Sequence, residues 1–238
     1  MKNRIIFAIW LALFGVALGQ DEEGSGEVRG RKAWFLTVGI PEGLENPVNV
    51  LAGGKLQQVV LSKRSMSAPV KIPADGVIQM VKSVENPDKP GEVTYIPFAQ
   101  AKISESVKEA MLIFAPTGKK VGEGMVFNCK VFDLNDFRGG DFLYMNLSPK
   151  KVAVTLGDEK LNLSPGEIEV FEARNLQKSK NVPTSYHFYM EEKERWQILS
   201  ASTVVLRPTR REICIFSWDT RFNRINYHGV TFPVAVES

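Results

Sequence analysis

Histidine and cysteine are scarce in this sequence, with two of each among 238 residues. His187, His228, Cys129 and Cys214 lie far apart, without the close pairing of ligands that a zinc site requires. A Gly-x-Ser-x-Gly elbow, a phosphate-binding loop and a His-Glu-x-x-His motif are all missing, so familiar hydrolase, nucleotide and metalloprotease chemistries have no foothold. A paired-carboxylate glycosidase can take its two acids from distant positions, but no pair is nominated here. No catalytic residue, cofactor or metal is therefore expected. Long helical periodicity is also lacking, and Ala99 to Ala110 is expected to hold a single helical turn at most.

Excess charge is equally lacking. The chain has 30 basic and 27 acidic residues. Lys178 and Lys180, and the pair Lys150-Lys151, are short clusters of the kind found on solvated loops. Nucleic-acid binders carry a concentrated basic patch or stripe, so that class is excluded.

The start of the chain reads as an export signal. Lys2 and Arg4 precede a nearly unbroken apolar run from Ile5 to Leu18, and small residues follow in Ala17-Leu18-Gly19. A run of about fourteen residues suits a signal peptide and is short for a membrane span. Cleavage is expected after Gly19, which removes two basic residues and leaves 28 against 27 acidic. No later apolar run approaches ~18 residues, so no membrane span is expected after cleavage. The chain is expected to be exported to the periplasm, cell surface or medium. Gln20 to Arg31, polar and rich in Glu and Gly, is expected to form a flexible tail.

From Lys32 onward, short apolar runs alternate with Gly, Pro, Asn and Asp, the pattern of an all-β chain. Strands are predicted at 33–39, 47–52, 56–62, 69–72, 77–83, 93–98, 109–115 and 124–132. A second series is predicted at 141–147, 151–156, 159–163, 167–173, 185–190, 196–205, 211–217 and 225–234. The two series resemble each other. Val48-Asn49-Val50 with Gly53 matches Val152-Ala153-Val154 with Gly157, and Lys55-Leu56 matches Lys160-Leu161. Pro73, Gly76 and Val77–Val81 are matched to Pro165, Gly166 and Ile168–Phe171. Lys108-Glu109 before Met111–Phe114 matches Arg211-Glu212 before Ile213–Phe216. The expected architecture is two tandem antiparallel β-sandwich (Ig-like) domains, 32–134 and 135–238. Their junction near Asp133–Gly140 is short, which predicts close coupling.

Several residues are candidates for chemistry or contact. The even cysteine pair, Cys129 and Cys214, permits a disulfide between the halves in an oxidising compartment, with buried thiols as the plainer alternative. Asp133, Asp136 and Asp141, and Glu191-Glu192 with Glu194, offer oxygen clusters. Their spacing is that of turn chemistry rather than of a helical calcium loop. Asn146-Leu147-Ser148 and Asn162-Leu163-Ser164 match the glycosylation tripeptide. The densest group is the C-terminal hairpin: Trp218, Arg221, Phe222, Arg224, Tyr227 and His228. Flat rings beside Arg, Asp and Asn are what sugar or peptide recognition needs, unless Trp218 and Tyr227 pack into their own sandwich. The expectation is a non-catalytic binding protein with an envelope or extracellular protein partner, docking by strand addition. The alternative is a carbohydrate-binding protein using the hairpin.

Overall fold

The structure, a computed structural model, describes residues 30–86, 89, 91–219 and 221–234. The expected signal peptide and all but the last two residues of the tail lie outside these. Arg31 belongs to the fold. Its guanidinium donates to the carbonyls of Val107 at 2.9 Å, Pro73 at 3.5 Å and Ser104.

Sixteen strands form among the described residues: β1 (Lys32–Thr37), β2 (Val48–Ala52), β3 (Lys55–Val59), β4 (Val70–Lys71), β5 (Val77–Glu85), β6 (Val93–Lys102), β7 (Glu109–Pro116) and β8 (Phe127–Asp133). They continue as β9 (Phe142–Leu147), β10 (Val152–Leu156), β11 (Glu159–Leu163), β12 (Ile168–Phe171), β13 (Lys180–Met190), β14 (Arg195–Leu206), β15 (Arg210–Asp219) and β16 (Arg224–Pro233). Every predicted strand is present, because alternation and turn residues are local signals. The β2–β3 hairpin turns on Gly53-Gly54, both at positive φ (57° and 76°), which suits a two-residue loop whose twist matches its strands. Ala99–Ala110 stays within the single helical turn allowed it and holds no helix. There β6 runs on to Lys102, and a hydrogen-bonded bend closes from Val107 to Ser104. The helical segments are single 3-10 turns at Leu134–Asp136 and Glu191–Lys193. Among the described residues no helix is long and apolar enough to cross a membrane.

The strands make four sheets with orders β4-β1-β7-β8, β3-β2-β5-β6, β12-β9-β15-β16 and β11-β10-β13-β14. The last two orders repeat the first two with each strand number raised by eight. This places β2 with β10, β3 with β11 and β7 with β15, as the sequence matching has them. It displaces the middle match, because β5 takes the place of β13 whereas Ile168–Phe171 is β12, the counterpart of β4. A Pro–Gly turn before a strand recurs too often to fix a register. The sheets are also not wholly antiparallel. β1 runs parallel to β7, with Lys32 opposite Glu109, and β9 runs parallel to β15, with Phe142 opposite Glu212. Only a hairpin forces neighbours to be antiparallel. Here the chain passes through the other sheet between partners and returns in the same sense.

Three apolar cores lie between these sheets. One core holds Phe35, Leu112 and Phe114 against Val50, Ile78 and Met80. A second holds Tyr144, Cys214 and Phe216 against Val154, Val182 and Tyr186. The third joins the two β1- and β9-containing sheets back to back, with Leu36, Met111 and Ile113 meeting Leu143, Met145, Ile213 and Ile215. The result is a stack of four layers whose two inner sheets are buried on both faces. This explains why Met111–Phe114, Phe142–Met145 and Ile213–Phe216 are apolar at every position rather than at alternate ones.

The junction is locked into the third core. Leu134 and Phe137 bury their side chains there. Arg211, itself buried, donates to the carbonyl of Leu134 at 3.1 Å and to that of Phe137. Its guanidinium also lies 5.5 Å from the centre of the Phe232 ring.

Candidate functional site

The C-terminal hairpin is formed by β15 and β16, which pair from Arg210 opposite Pro233 to Asp219 opposite Arg224. Asp219 shapes its tip. One carboxylate oxygen accepts from the backbone amides of Arg221 and Phe222, and the other accepts from the Asn226 side chain at 3.2 Å. Asn223 supplies the left-handed residue, at φ 48°.

The six candidate residues of this hairpin do not form one platform. Trp218 is partly buried and packs on the second core. Tyr227 meets the Tyr186 ring edge-on at 5.0 Å and donates its hydroxyl to Ser200 Oγ at 2.8 Å. His228 lies on the other face of β16, where Val230 and Phe232 enter the third core. Its Nε2 is buried without a partner. Burial, together with the nearby charges of Lys63 and Arg64, pushes the imidazole pKa down, although the Lys63 backbone partly opposes this. The tip is the most exposed part, with Phe222 57% exposed and the guanidiniums of Arg221 and Arg224 each 5.1 Å from its centre, while Tyr227 remains 40% exposed. Strand alternation divides the group, since neighbours in sequence point to opposite faces.

The other candidates resolve into structural roles. Cys129 and Cys214 are free thiols. Cys129 packs on the first core and Cys214 lies within the second, so the third core separates them; the permitted bridge is not made and the plainer reading of buried thiols holds. Burial pushes both thiols up to about 12. Asp133 caps the 3-10 turn through the Asn135 amide at 2.9 Å. Asp141 is buried and accepts from the Arg138 and Ala173 amides at 2.7 and 2.8 Å, so both of its oxygens serve backbone. Glu191 and Glu192 pair with Lys150 at 2.5 and 3.3 Å. Among the described residues no group of three or more His, Cys, Asp or Glu is placed to hold a metal. Asn146 is fully buried and bonds through both amide atoms to Ser148, Lys150 and Leu163, which closes it to glycosylation in the folded chain. Asn162 is exposed on β11.

The feature that sequence reading missed is a difference between two equivalent seams. At the side of the first sandwich, edge strand β6 approaches β8. At the side of the second, edge strand β14 approaches β16. Both edge strands carry a bulge at the same place. Phe98 falls between the residues paired with Met80 and Val81, and Leu199 between those paired with Tyr186 and His187. The first seam is shut: the Val126 amide donates to the Phe98 carbonyl at 2.8 Å, and Phe98, Ala99 and Ala101 are buried. In the second seam no backbone hydrogen bond joins β14 to β16 among the described residues. Ser200 and Ser202 stand where the first copy has Ala99 and Ala101, as their pairing with Tyr186 and Thr184 establishes.

A comparison with protein-family models and with curated protein sequences finds no match to this chain.

The second seam is therefore a pair of grooves on either side of the Tyr227–Ser200 hydrogen bond. One, of about 320 Å³, has Phe142, Tyr186, Val204 and Cys214 among its lining, with Arg207 and Arg210 also contributing. The other, of about 370 Å³, runs past Gln197, Ile198, Leu199 and Arg224. The outer face of β14 adds Trp196 and Ile198, 44% and 57% exposed. The grooves offer backbone amides, hydroxyls and apolar wall, together with the Glu212 carboxylate and the Cys214 thiol, whose pKa burial pushes up to about 12.

Proposed function

We propose that this chain is an exported, non-catalytic binding protein, an accessory or adaptor component of the cell envelope or of a secreted assembly. In this reading it consists of two tandem sandwich domains, 32–134 and 135–238, and docks a protein partner by strand addition. The observation that carries the reading is the unpaired outer edge of β14, twelve residues long and bordered by open grooves. A free strand edge presents unmade backbone hydrogen bonds along its length, and an incoming extended segment satisfies them. In the first half the chain's own Val126 amide closes the equivalent edge at its bulge through Phe98, whereas no backbone bond among the described residues does so at the bulge of β14.

The glycan reading has less support. It needs several coplanar, outward rings, and the hairpin's two exposed rings are already engaged, Phe222 between two arginines and Tyr227 edge-on to Tyr186 with its hydroxyl on Ser200.

The test is to crosslink the tagged mature protein gently in its host, identify the stoichiometric partner, and repeat the capture with excess synthetic peptide spanning Arg195 to Leu206. Loss of the partner under competition is the expected result. A partner retained at full yield would overturn docking through β14, and recovery on polysaccharide alone would favour the glycan reading.

A further inference from the structure

The chemistry of the second seam specifies what kind of segment fits it. We infer that the β14–β16 seam takes an extended peptide with an apolar centre and a carboxylate side chain at each end, an inference that rests on the strand-addition reading above. Three observations define the occupant. The first is the comparison of seams. In the first half Val126 and Phe127, both buried, bring β8 against Phe98 and shut the space with backbone and apolar side chains. The second half lacks that closure, so the missing element is again a strand with apolar side chains facing inward.

The second observation is the floor. Phe142, Tyr186, Val204 and Tyr227 present apolar surface, while Ser200 and Ser202 on the inner face of β14 present hydroxyls. A small aliphatic or β-branched side chain matches the first group, and a backbone or threonine hydroxyl matches the second. Among the described residues the Tyr227–Ser200 bond is the one side-chain hydrogen bond across the middle. An entering strand replaces it with its own hydrogen bonds.

The third observation is charge. Arg207 and Arg210 stand at one end of the seam, both exposed, and neither side chain makes a hydrogen bond or ion pair among the described residues. Glu212 lines the same groove and offsets part of their charge, one carboxylate, which accepts from the Thr231 hydroxyl at 2.8 Å, against two guanidiniums. At the other end Arg224 lines the second groove. Unpaired guanidiniums beside an apolar channel recruit carboxylates bidentately and reject cations. Between Gln197 and Val205 the channel spans about nine residues of strand.

The experiment uses the mature full chain and two fluorescent synthetic peptides of about nine residues, alternating valine and threonine, one ending in aspartate and one in lysine at both termini. Anisotropy gives affinity, and hydrogen exchange follows the β14 amides. The expected result is that the aspartate peptide binds at least about tenfold more tightly and protects β14. The double substitution Arg207→Glu with Arg210→Glu, at exposed positions, should abolish that preference. Equal binding and equal β14 protection by both peptides would overturn the charge inference while leaving strand addition standing. Unchanged β14 exchange with either peptide would overturn both. Protection confined to the first sandwich would overturn the assignment of the seam.

Discussion

The indole of Trp34 meets the ring of Phe232 edge-on, with centroids 5.4 Å apart and planes at 68°. Trp34 is on β1 and Phe232 on β16, so this contact ties the first predicted strand of the folded chain to its last across the third core. Edge-to-face aromatic pairs contribute about 1 kcal/mol beyond their buried area. The contact belongs to a layer of Leu, Ile and Met that is as fully buried as the interior of either sandwich.

The two halves should therefore unfold together. Leu143→Ala is expected to cost about 3 kcal/mol, as for other buried leucines, and to retain one cooperative transition in urea. Ile113→Asp, which places a carboxylate in the same layer, should split the transition in two, because an unpaired buried charge favours separation of the sheets. Superimposable curves from fluorescence and circular dichroism for that second variant would contradict the idea of a shared core.

Arg211 should matter for stability. Its two hydrogen bonds to the junction carbonyls are made by a buried charged donor, a class in which each bond contributes roughly 1.5–3 kcal/mol. Burial lowers the guanidinium pKa, and the charges of Glu109 and Asp141 oppose that shift. Arg211→Met is expected to destabilise by about 3 kcal/mol. Arg211→Lys should recover little, since a single ammonium cannot reach both carbonyls as the planar fork does. Thermal denaturation of the three proteins checks the order.

Both thiols should be slow to react in the native state. With pKa values pushed up to about 12 by burial, Cys129 and Cys214 carry almost no thiolate at neutral pH. Labelling with a maleimide without reductant should be slow for the folded protein and should reach two thiols per chain in denaturant. Recovery of fewer than two would indicate a bridge or an oxidised thiol.

Acid should weaken the fold through His228. Its folded-state pKa lies below the ordinary 6.5, so the unfolded chain binds the proton more tightly. The group has no effect on stability well above about pH 6.5. Stability falls as pH drops below that value, and the loss is complete once pH passes the depressed folded value. Wild type should lose more stability between pH 7 and pH 5 than His228→Gln does. Parallel losses in the two proteins would place the acid sensitivity elsewhere.

The strands were legible in the sequence because they rest on local physics. Alternation in Val152–Leu156, glycine at Gly53 and Gly157, and proline at Pro165 act within a few residues of themselves. The third core was half legible. Unbroken apolar runs at Met111–Phe114 and Ile213–Phe216 mark strands buried on both sides, but a two-sheet sandwich leaves their second face without a partner. The candidate hairpin was legible as a hairpin and misleading as a site. Its aromatic count ignores which face each ring takes, and Trp218 and His228 end on opposite faces of their sheet.

By itself the sequence determined an all-β chain, the positions of its strands and the likeness of its halves, because backbone propensity, turn conformation and period-two burial are properties of neighbouring residues. Tertiary structure alone decided the rest. The parallel partnering of β1 with β7 and β9 with β15 depends on how the chain returns from another sheet. The separation of Cys129 from Cys214 depends on a core interposed between them. The open second seam depends on whether one strand edge finds another, as Val126 finds Phe98 and as, among the described residues, no backbone group of β16 bonds β14. Such pairings join residues far apart in the chain, and their energies exist only once the sheets are stacked.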